Sequence, residues 1–257
     1  MIDIHSHILP GVDDGAQTIE ESILMAEAAV ADGISTIVAT PHHKNGAYDN
    51  YKHDILIQVA ELNRTFQERG IDLEVLPGQE NRIYGEMVQG IEADEILAID
   101  DKTKYILVEF PSSSVPRYAE QLFFDLQVAG YSPVIVHPER NKQIIENPDL
   151  LYSFVKKGAY TQVTAGSLCG HFGKKIKKFS EQLLEGNLTH LIASDAHNTK
   201  TRGFCMKEAY EGINKKFGND MVYLLMENAE DLLDGKVLAS EPPKHIKKSK
   251  FLGVFNR

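Results

Sequence analysis

At 257 residues, 42% hydrophobic and 25% charged, the chain has the make-up of a soluble globular protein large enough for one sizeable core. Its net charge of −10 disfavours a broad nucleic-acid-binding face, and two cysteines (Cys169, Cys205) with no tryptophan exclude a disulfide scaffold or a Cys-rich zinc module. No apolar run reaches the ~18–20 residues of a membrane helix, and the opening MIDIHSHILPG lacks the basic flank and long apolar stretch of a secretory signal, so a cytoplasmic protein is expected.

Short runs rich in Ile, Val and Leu alternate with longer amphipathic ones along the chain. Strands are predicted at residues 2–5, 35–40, 73–76, 105–110, 133–137, 160–164 and 190–194, with the composition of parallel strands covered on both faces. Helices are predicted at 20–32, 51–70, 117–130, 147–158, 173–186, 204–217 and 219–235. Thr18 with Glu21 reads as a capping box. Gly33, Gly70, Gly130, Gly158 and Gly186 stand where helices should stop at positive φ. Seven β/α units without a Gly-rich nucleotide turn predict one α/β domain, a distorted (β/α)7 TIM-like barrel over residues 1–240. Residues 241–257 form a basic tail carrying Lys244, Lys247, Lys248, Lys250 and Arg257.

The ten histidines are explained by position. The first strand ends in His5-Ser6-His7, with Asp14 in the loop beyond. The second runs into His42, the third into Glu80, and the fourth holds Glu109 near its end. The fifth ends in His137-Pro138-Glu139-Arg140 and the seventh in Asp195-Ala196-His197, whereas the sixth offers no metal-type ligand. In a β/α barrel all these ends open on one face, where active sites are built.

Imidazole and carboxylate are the usual nitrogen and oxygen donors for Zn²⁺, Mn²⁺ and Fe²⁺. At about three to five ligands per ion, His5, His7, Asp14, His42, Glu80, Glu109, His137, Asp195 and His197 suit two or three ions rather than one. His43, His53, His171, His190 and His245 are left outside the set. Asp3 and Asp13 fall close enough to support ligands from behind.

The same residues, with the opening Met-Ile-Asp-Ile-His-Ser-His-Ile-Leu-Pro-Gly-Val-Asp-Asp-Gly, resemble the PHP (polymerase and histidinol phosphatase) superfamily. Within it they resemble the bacterial protein-tyrosine phosphatases of CpsB/YwqE type from capsule and exopolysaccharide operons. The resemblance runs to about Gly235. It implies a trinuclear site, with manganese commonly invoked and Fe, Mg or Zn as alternatives. By that likeness His5, His7, Glu80 and Asp195 would hold a first ion. Glu80, Glu109 and His137 would hold a second, and Asp14, His42 and His197 a third. Arg140 and Arg202 match arginines proposed to hold phosphate. The partner implied is a phosphotyrosine protein, above all a bacterial tyrosine kinase with a Tyr-rich tail.

Such a site hydrolyses a phosphate monoester with a metal-activated hydroxide and no covalent enzyme intermediate. Phenolate, with a pKa of about 10, is a tolerable leaving group that asks little of a general acid. Asp195 is a candidate to orient the hydroxide or deliver a proton, although a ligating carboxylate is poorly suited to carry one. Rival phosphatase chemistries lack their residues: six positions beyond Cys169 and Cys205 stand Lys175 and Glu211 rather than the arginine of a cysteine-dependent phosphatase. No Gly-x-Ser-x-Gly supports a serine hydrolase. The alternatives are a PHP phosphatase for a small metabolite such as histidinol phosphate, a PHP nuclease, and a non-catalytic metal-holding regulator of a kinase. Tyr48, Tyr84 and Tyr118 are candidates to stack on a substrate ring, and Lys174, Lys175, Lys177 and Lys178 to guide an anionic segment.

Overall fold

Each β-rich run of the sequence becomes a short buried strand, and each amphipathic run a helix lying against it. The computed structural model describes residues 1–246, so most of the basic tail, from Lys247 to Arg257, lies outside the described residues. In chain order the elements begin β1 (Ile2–Ser6), α1 (Ile19–Ala31), β2 (Thr36–Ala39), β3 (His42–His43), α2 (Lys52–Arg69), β4 (Glu74–Pro77), β5 (Glu80–Arg82) and α3 (Met87–Glu92). They continue β6 (Tyr105–Glu109), α4 (Ala119–Val128), β7 (Ser132–Val136), α5 (Lys142–Glu146), α6 (Asp149–Lys156), β8 (Tyr160–Thr164) and α7 (Ala165–Cys169). The last are α8 (Lys174–Glu185), β9 (Leu191–Ala193), α9 (Met206–Phe217) and α10 (Asn219–Leu233).

All strand pairs are parallel, in the orders β1-β2-β4 and β3-β5-β6-β7-β8-β9. Ser6, at the end of β1, bridges Ala196 just beyond β9, and Asp195 N donates to His5 O at 2.9 Å. The split into two sheets has a local cause. Pro41 cannot donate a ladder hydrogen bond, and neither can Pro77. Gly78 packs so tightly that a Cβ there would lie 2.6 Å from Val38 Cγ1. The second and third predicted strands therefore break and resume as β3 and β5, with His42 in register opposite Glu80.

Alternate residues of a strand face opposite sides. Ile106 and Val108 join the larger core beneath the helices, while Tyr105 and Leu107 join a smaller one with Val134, Val136 and Leu191. Glu109 follows Leu107 on the latter face. Three short helices, α3, α5 and α7, were not predicted, because five or six residues show too little of a 3.6-residue period. Thr18 caps α1, its Oγ1 accepting from Glu21 N at 3.2 Å, while Glu21 Oε2 reaches back to Gln17 N at 2.6 Å. Of the five helix-stop glycines, Gly186 departs from expectation. It keeps φ −85°, and the next residue, Asn187, takes the left-handed turn at φ 53°, since a short polar side chain tolerates that region.

Candidate metal centre

The strand ends bring all nine predicted residues to one face, and Glu80 stands at the middle of them. Its Oε2 lies 2.8 Å from His42 Nδ1, 3.4 Å from His7 Nε2 and 3.5 Å from His5 Nε2, while Oε1 meets His137 Nε2 at 2.7 Å. Asp195 Oδ1 closes the first group at 3.5 Å from His5 Nε2 and 3.4 Å from His7 Nε2. On the far side of His42, Asp14 Oδ1 sits 3.4 Å from its Nε2 and 3.5 Å from His197 Nε2. Glu109 Oε2 is 3.9 Å from His42 Nδ1 and 3.0 Å from Arg82 Nη2.

Three overlapping sets each place one donor atom per residue within 4.8 Å of one another: His5, His7 and Glu80; His42, Glu80 and Glu109; and His7, Asp14, His42 and His197. Several close approaches lack hydrogen-bond geometry. Among the described residues, buried His42 Nδ1, Glu80 Oε2, Glu109 Oε2 and His197 Nε2 have no hydrogen-bonding partner. Orphaned buried polar atoms of this kind are rare in folded proteins, and their convergence is what divalent cations would satisfy. The nitrogen and oxygen donor set fits such ions.

Charge points the same way. Burial disfavours protonating His7, yet Asp13, Asp195 and Glu80 outweigh it and hold the ring well above the usual histidine range. Burial is likewise outweighed by Glu80 and Asp14 at His42, which is pushed up to about 10. Burial and the neighbouring Glu80 push Glu109 up to about 7. The cluster thus draws positive charge to itself. His137 goes the other way, to about 4, through burial and Arg140, and His197 falls to about 4 through burial and His7.

The rings are held from behind. Asp13 Oδ2 receives His7 Nδ1 at 2.6 Å and His42 N at 3.1 Å, turning His7 Nε2 into the cluster. The Asp13 loop can lie this close only because residue 15 is glycine, whose Cβ would sit 2.0 Å from His7 O. His5 Nδ1 is fixed at 3.0 Å by Gln162 Oε1, from the strand with no metal-type ligand. Asp3 takes Ser194 N at 2.9 Å, His5 N at 3.4 Å and Ser194 Oγ at 2.5 Å, tying β1 to the end of β9. Two strand ends turn into the left-handed region, His137 at φ 36° and Asp195 at φ 52°. Such conformations cost about 1–3 kcal/mol in a non-glycine residue and cluster at functional sites.

Above the cluster opens a cleft of about 410 Å³ lined by Asp14, His42, Glu109, His137, Asp195, Arg140 and Arg202, with Phe110 and Phe172 on its walls. Both arginines reach Asp195 Oδ2, Arg140 Nη2 at 2.5 Å and Arg202 Nη2 at 2.9 Å. Burial of Asp195 is outweighed by Arg140 and His7, so its carboxyl is held well below the usual carboxylate range. The candidate tyrosines lie around the cleft rather than in its lining. Tyr48 stacks beside His42 at 6.3 Å, Tyr118 donates to Ile83 O, and the Tyr84 hydroxyl abuts Gly90, but none lines the cleft, where Phe110 and Phe172 stand instead. Arg82, which pairs with Glu109, was missed, although its place two residues beyond Glu80 was the available signal.

The histidines left aside stay outside the cluster. His43 turns edge-on to Tyr51 at 5.1 Å, and His190 accepts from Thr161 N at 3.1 Å. His245 pairs with Asp149, while His53 and His171 are exposed.

Comparison with known proteins places this geometry in context. The sequence model for "Capsular polysaccharide synthesis, CpsB/CapC" matches residues 1–234. The chain is 54% identical over 255 residues to the tyrosine-protein phosphatase YwqE of Bacillus subtilis, covering 99% of this chain and 100% of the relative. It is 38% identical to the putative tyrosine-protein phosphatase CapC of Staphylococcus aureus, with the same coverage. Against CpsB of Streptococcus agalactiae serotype III it is 30% identical over 91% of this chain and 98% of the relative. A crystal structure from a study of YwqE from Bacillus subtilis and CpsB from Streptococcus pneumoniae, described as unique metal-dependent tyrosine phosphatases, superposes with a TM-score of 0.94 at 54% identity. That match covers 96% of this chain and 100% of the other. The chain belongs to the CpsB/CapC family of capsular polysaccharide synthesis proteins.

Proposed function

We propose that this protein is a metal-dependent protein-tyrosine phosphatase, acting from the open ends of a closed (β/α)7 barrel. The observation that carries the reading is Asp195, which faces the ligand cluster with Oδ1 and two cleft-lining arginines with Oδ2. Ions and phosphate are thereby given adjoining seats. The full-length likeness to YwqE and CpsB supports the activity, and the Ser6–Ala196 bridge between the first and last strands supports closure.

The ligands proposed are His5, His7, Glu80 and Asp195 for one ion, Glu80, Glu109 and His137 for a second, and Asp14, His42 and His197 for a third, with Mn²⁺ the first choice of metal. When bound, divalent ions neutralise the phosphate and lower the pKa of water at neutral pH. The chain's own residues do the rest. Arg140 and Arg202 leave Asp195 Oδ2 for the non-bridging phosphate oxygens, which guanidinium groups match bidentately. Phe110 and Phe172 flank the phenyl ring, and Asp13 and Gln162 keep His7 and His5 from rotating. No group is needed to protonate the phenolate before it leaves, since its pKa of about 10 makes it a fair leaving group.

The physiological partner proposed is a phosphorylated bacterial tyrosine kinase and its targets, met in the cytoplasm. Among the described residues no helix is long and apolar enough to cross a membrane. The test is release of phosphate from a phosphotyrosine peptide by purified protein with Mn²⁺, with loss on chelation and elemental analysis of the same sample. Equal or better turnover of histidinol phosphate would replace this reading with that of a small-metabolite phosphatase.

A further inference from the structure

Basic residues adjoin the cleft wall at three places in the chain: the start of α5, the start of α8 and the loop after β9. Lys142 follows cleft-lining Asn141, and its backbone N donates at 2.9 Å to the carbonyl of Ser112, another lining residue. Lys174 and Lys175 follow Phe172, which lines the cleft beneath the Arg140 guanidinium at 5.3 Å. Lys200 precedes Arg202 and lines an adjoining hollow of about 300 Å³ across Asp14. With consecutive Cα atoms about 3.8 Å apart, each of these lysines stands within a few residues of the cleft wall.

All four are exposed, and among the described residues none forms an ion pair. Lys52, Lys157, Lys216 and Lys236, by contrast, each hold a carboxylate. Lys177 and Lys178 continue the basic run along α8 beside a hollow of about 460 Å³, in which Glu181 and Glu185 pair with Lys216. Free cations concentrated at one opening of a protein with net charge −10 set up a local field opposite to the molecule's overall sign. Such a field steers and selects anionic partners.

We propose that Lys142, Lys174, Lys175 and Lys200 select phosphotyrosine segments whose neighbouring residues are acidic, pairing with carboxylates on either side of the phosphotyrosine. The proposal rests on the phosphatase reading and specifies its substrate class. The arginines in the cleft take the phosphate, and the rim lysines take the flanks.

The test compares two phosphotyrosine peptides, one flanked by glutamate and one by lysine, together with free phosphotyrosine, on wild type and on a variant carrying K142E, K174E, K175E and K200E. Wild type should favour the glutamate peptide in kcat/KM by about tenfold at low salt. That preference should shrink as ionic strength rises, and the variant should lose or reverse it. Turnover of free phosphotyrosine should be the same in both. Binding of the fluorescein-labelled glutamate peptide, followed by anisotropy without added metal, reads the rim independently of turnover and should weaken about tenfold in the variant. A quadruple alanine variant guards against effects of the introduced glutamates, and should show intermediate values. Equal handling of both peptides by wild type, or a preference that survives in the variants, overturns the proposal. Failure to hydrolyse either peptide or free phosphotyrosine overturns instead the activity on which it rests, while anisotropy still reports on the rim.

Discussion

Arg140 Nη2 lies 2.5 Å from Asp195 Oδ2, and Arg202 joins the same oxygen at 2.9 Å. The carboxylate that faces His5 and His7 thus also holds both candidate phosphate clamps in place. Arg140→Ala should lower kcat/KM for a phosphotyrosine peptide about 100-fold, the scale of a lost charge-stabilising donor. Metal content by elemental analysis should be unchanged. Arg202 is the more exposed of the two side chains, 31% against 21%, and its replacement by alanine should cost less, about tenfold. Loss of bound metal in either variant would show that the arginine holds the ligand rather than the substrate.

Asp13 contributes no atom to the three donor sets, yet it decides which nitrogen His7 presents. Asp13→Asn preserves shape but weakens the 2.6 Å bond to His7 Nδ1. Partners of this kind are worth about 10–100-fold in metal affinity. Calorimetric titration with Mn²⁺ should show that loss with little change in melting temperature of the metal-free protein.

Gly15→Ala should be far more damaging than its size suggests. The added carbon would fall 2.0 Å from His7 O, so the loop bearing Asp13 and Asp14 must move. Overpacking of this kind costs about 1–3 kcal/mol, and metal affinity should fall together with the urea midpoint. Gly130→Ala is the control. Its added Cβ meets nothing within 4 Å among the described residues, and its φ of 86° is what opposes the change, so metal affinity should be kept.

His190 governs a part of the acid response remote from the cluster. Burial alone holds it down at about 4 against an ordinary 6.5, and its Nδ1 accepts from Thr161 N. A base depressed in the folded state contributes stability that is complete above pH 6.5. That stability is lost as pH falls toward 4, because the unfolded chain then binds a proton the folded one refuses. Between pH 7.5 and 5 this amounts to about 2 kcal/mol. His190→Asn, which keeps an acceptor for Thr161 but does not titrate, should lose correspondingly less stability over that interval in urea denaturation. Parallel pH profiles for the two proteins would reject the assignment.

The candidate donor cluster was largely legible because strand ends can be read one strand at a time. Parallel β/α units bring those ends to one face whatever the helices do, so His5, His7, Glu80, Glu109, His137 and Asp195 could be collected from periodicity. The seven strands followed from Ile, Val and Leu runs with glycine stops. The short helices α3, α5 and α7, and the breaks that create β3 and β5, were not visible, because a few residues carry too little pattern.

By itself, then, the sequence determined the β/α order, the inventory of candidate donor residues and their common face, since each depends on local propensity and period. Tertiary structure alone decided the supports and the walls. Gln162 reaches His5 from a strand 157 residues away, Arg82 pairs with Glu109 across neighbouring strands, and Phe172 rather than a tyrosine closes the cleft. It also decided the left-handed turns at His137 and Asp195, which non-glycine residues adopt only when their surroundings hold them there. These features depend on distances between chain segments that meet only once the sheet has formed, and no local pattern encodes them.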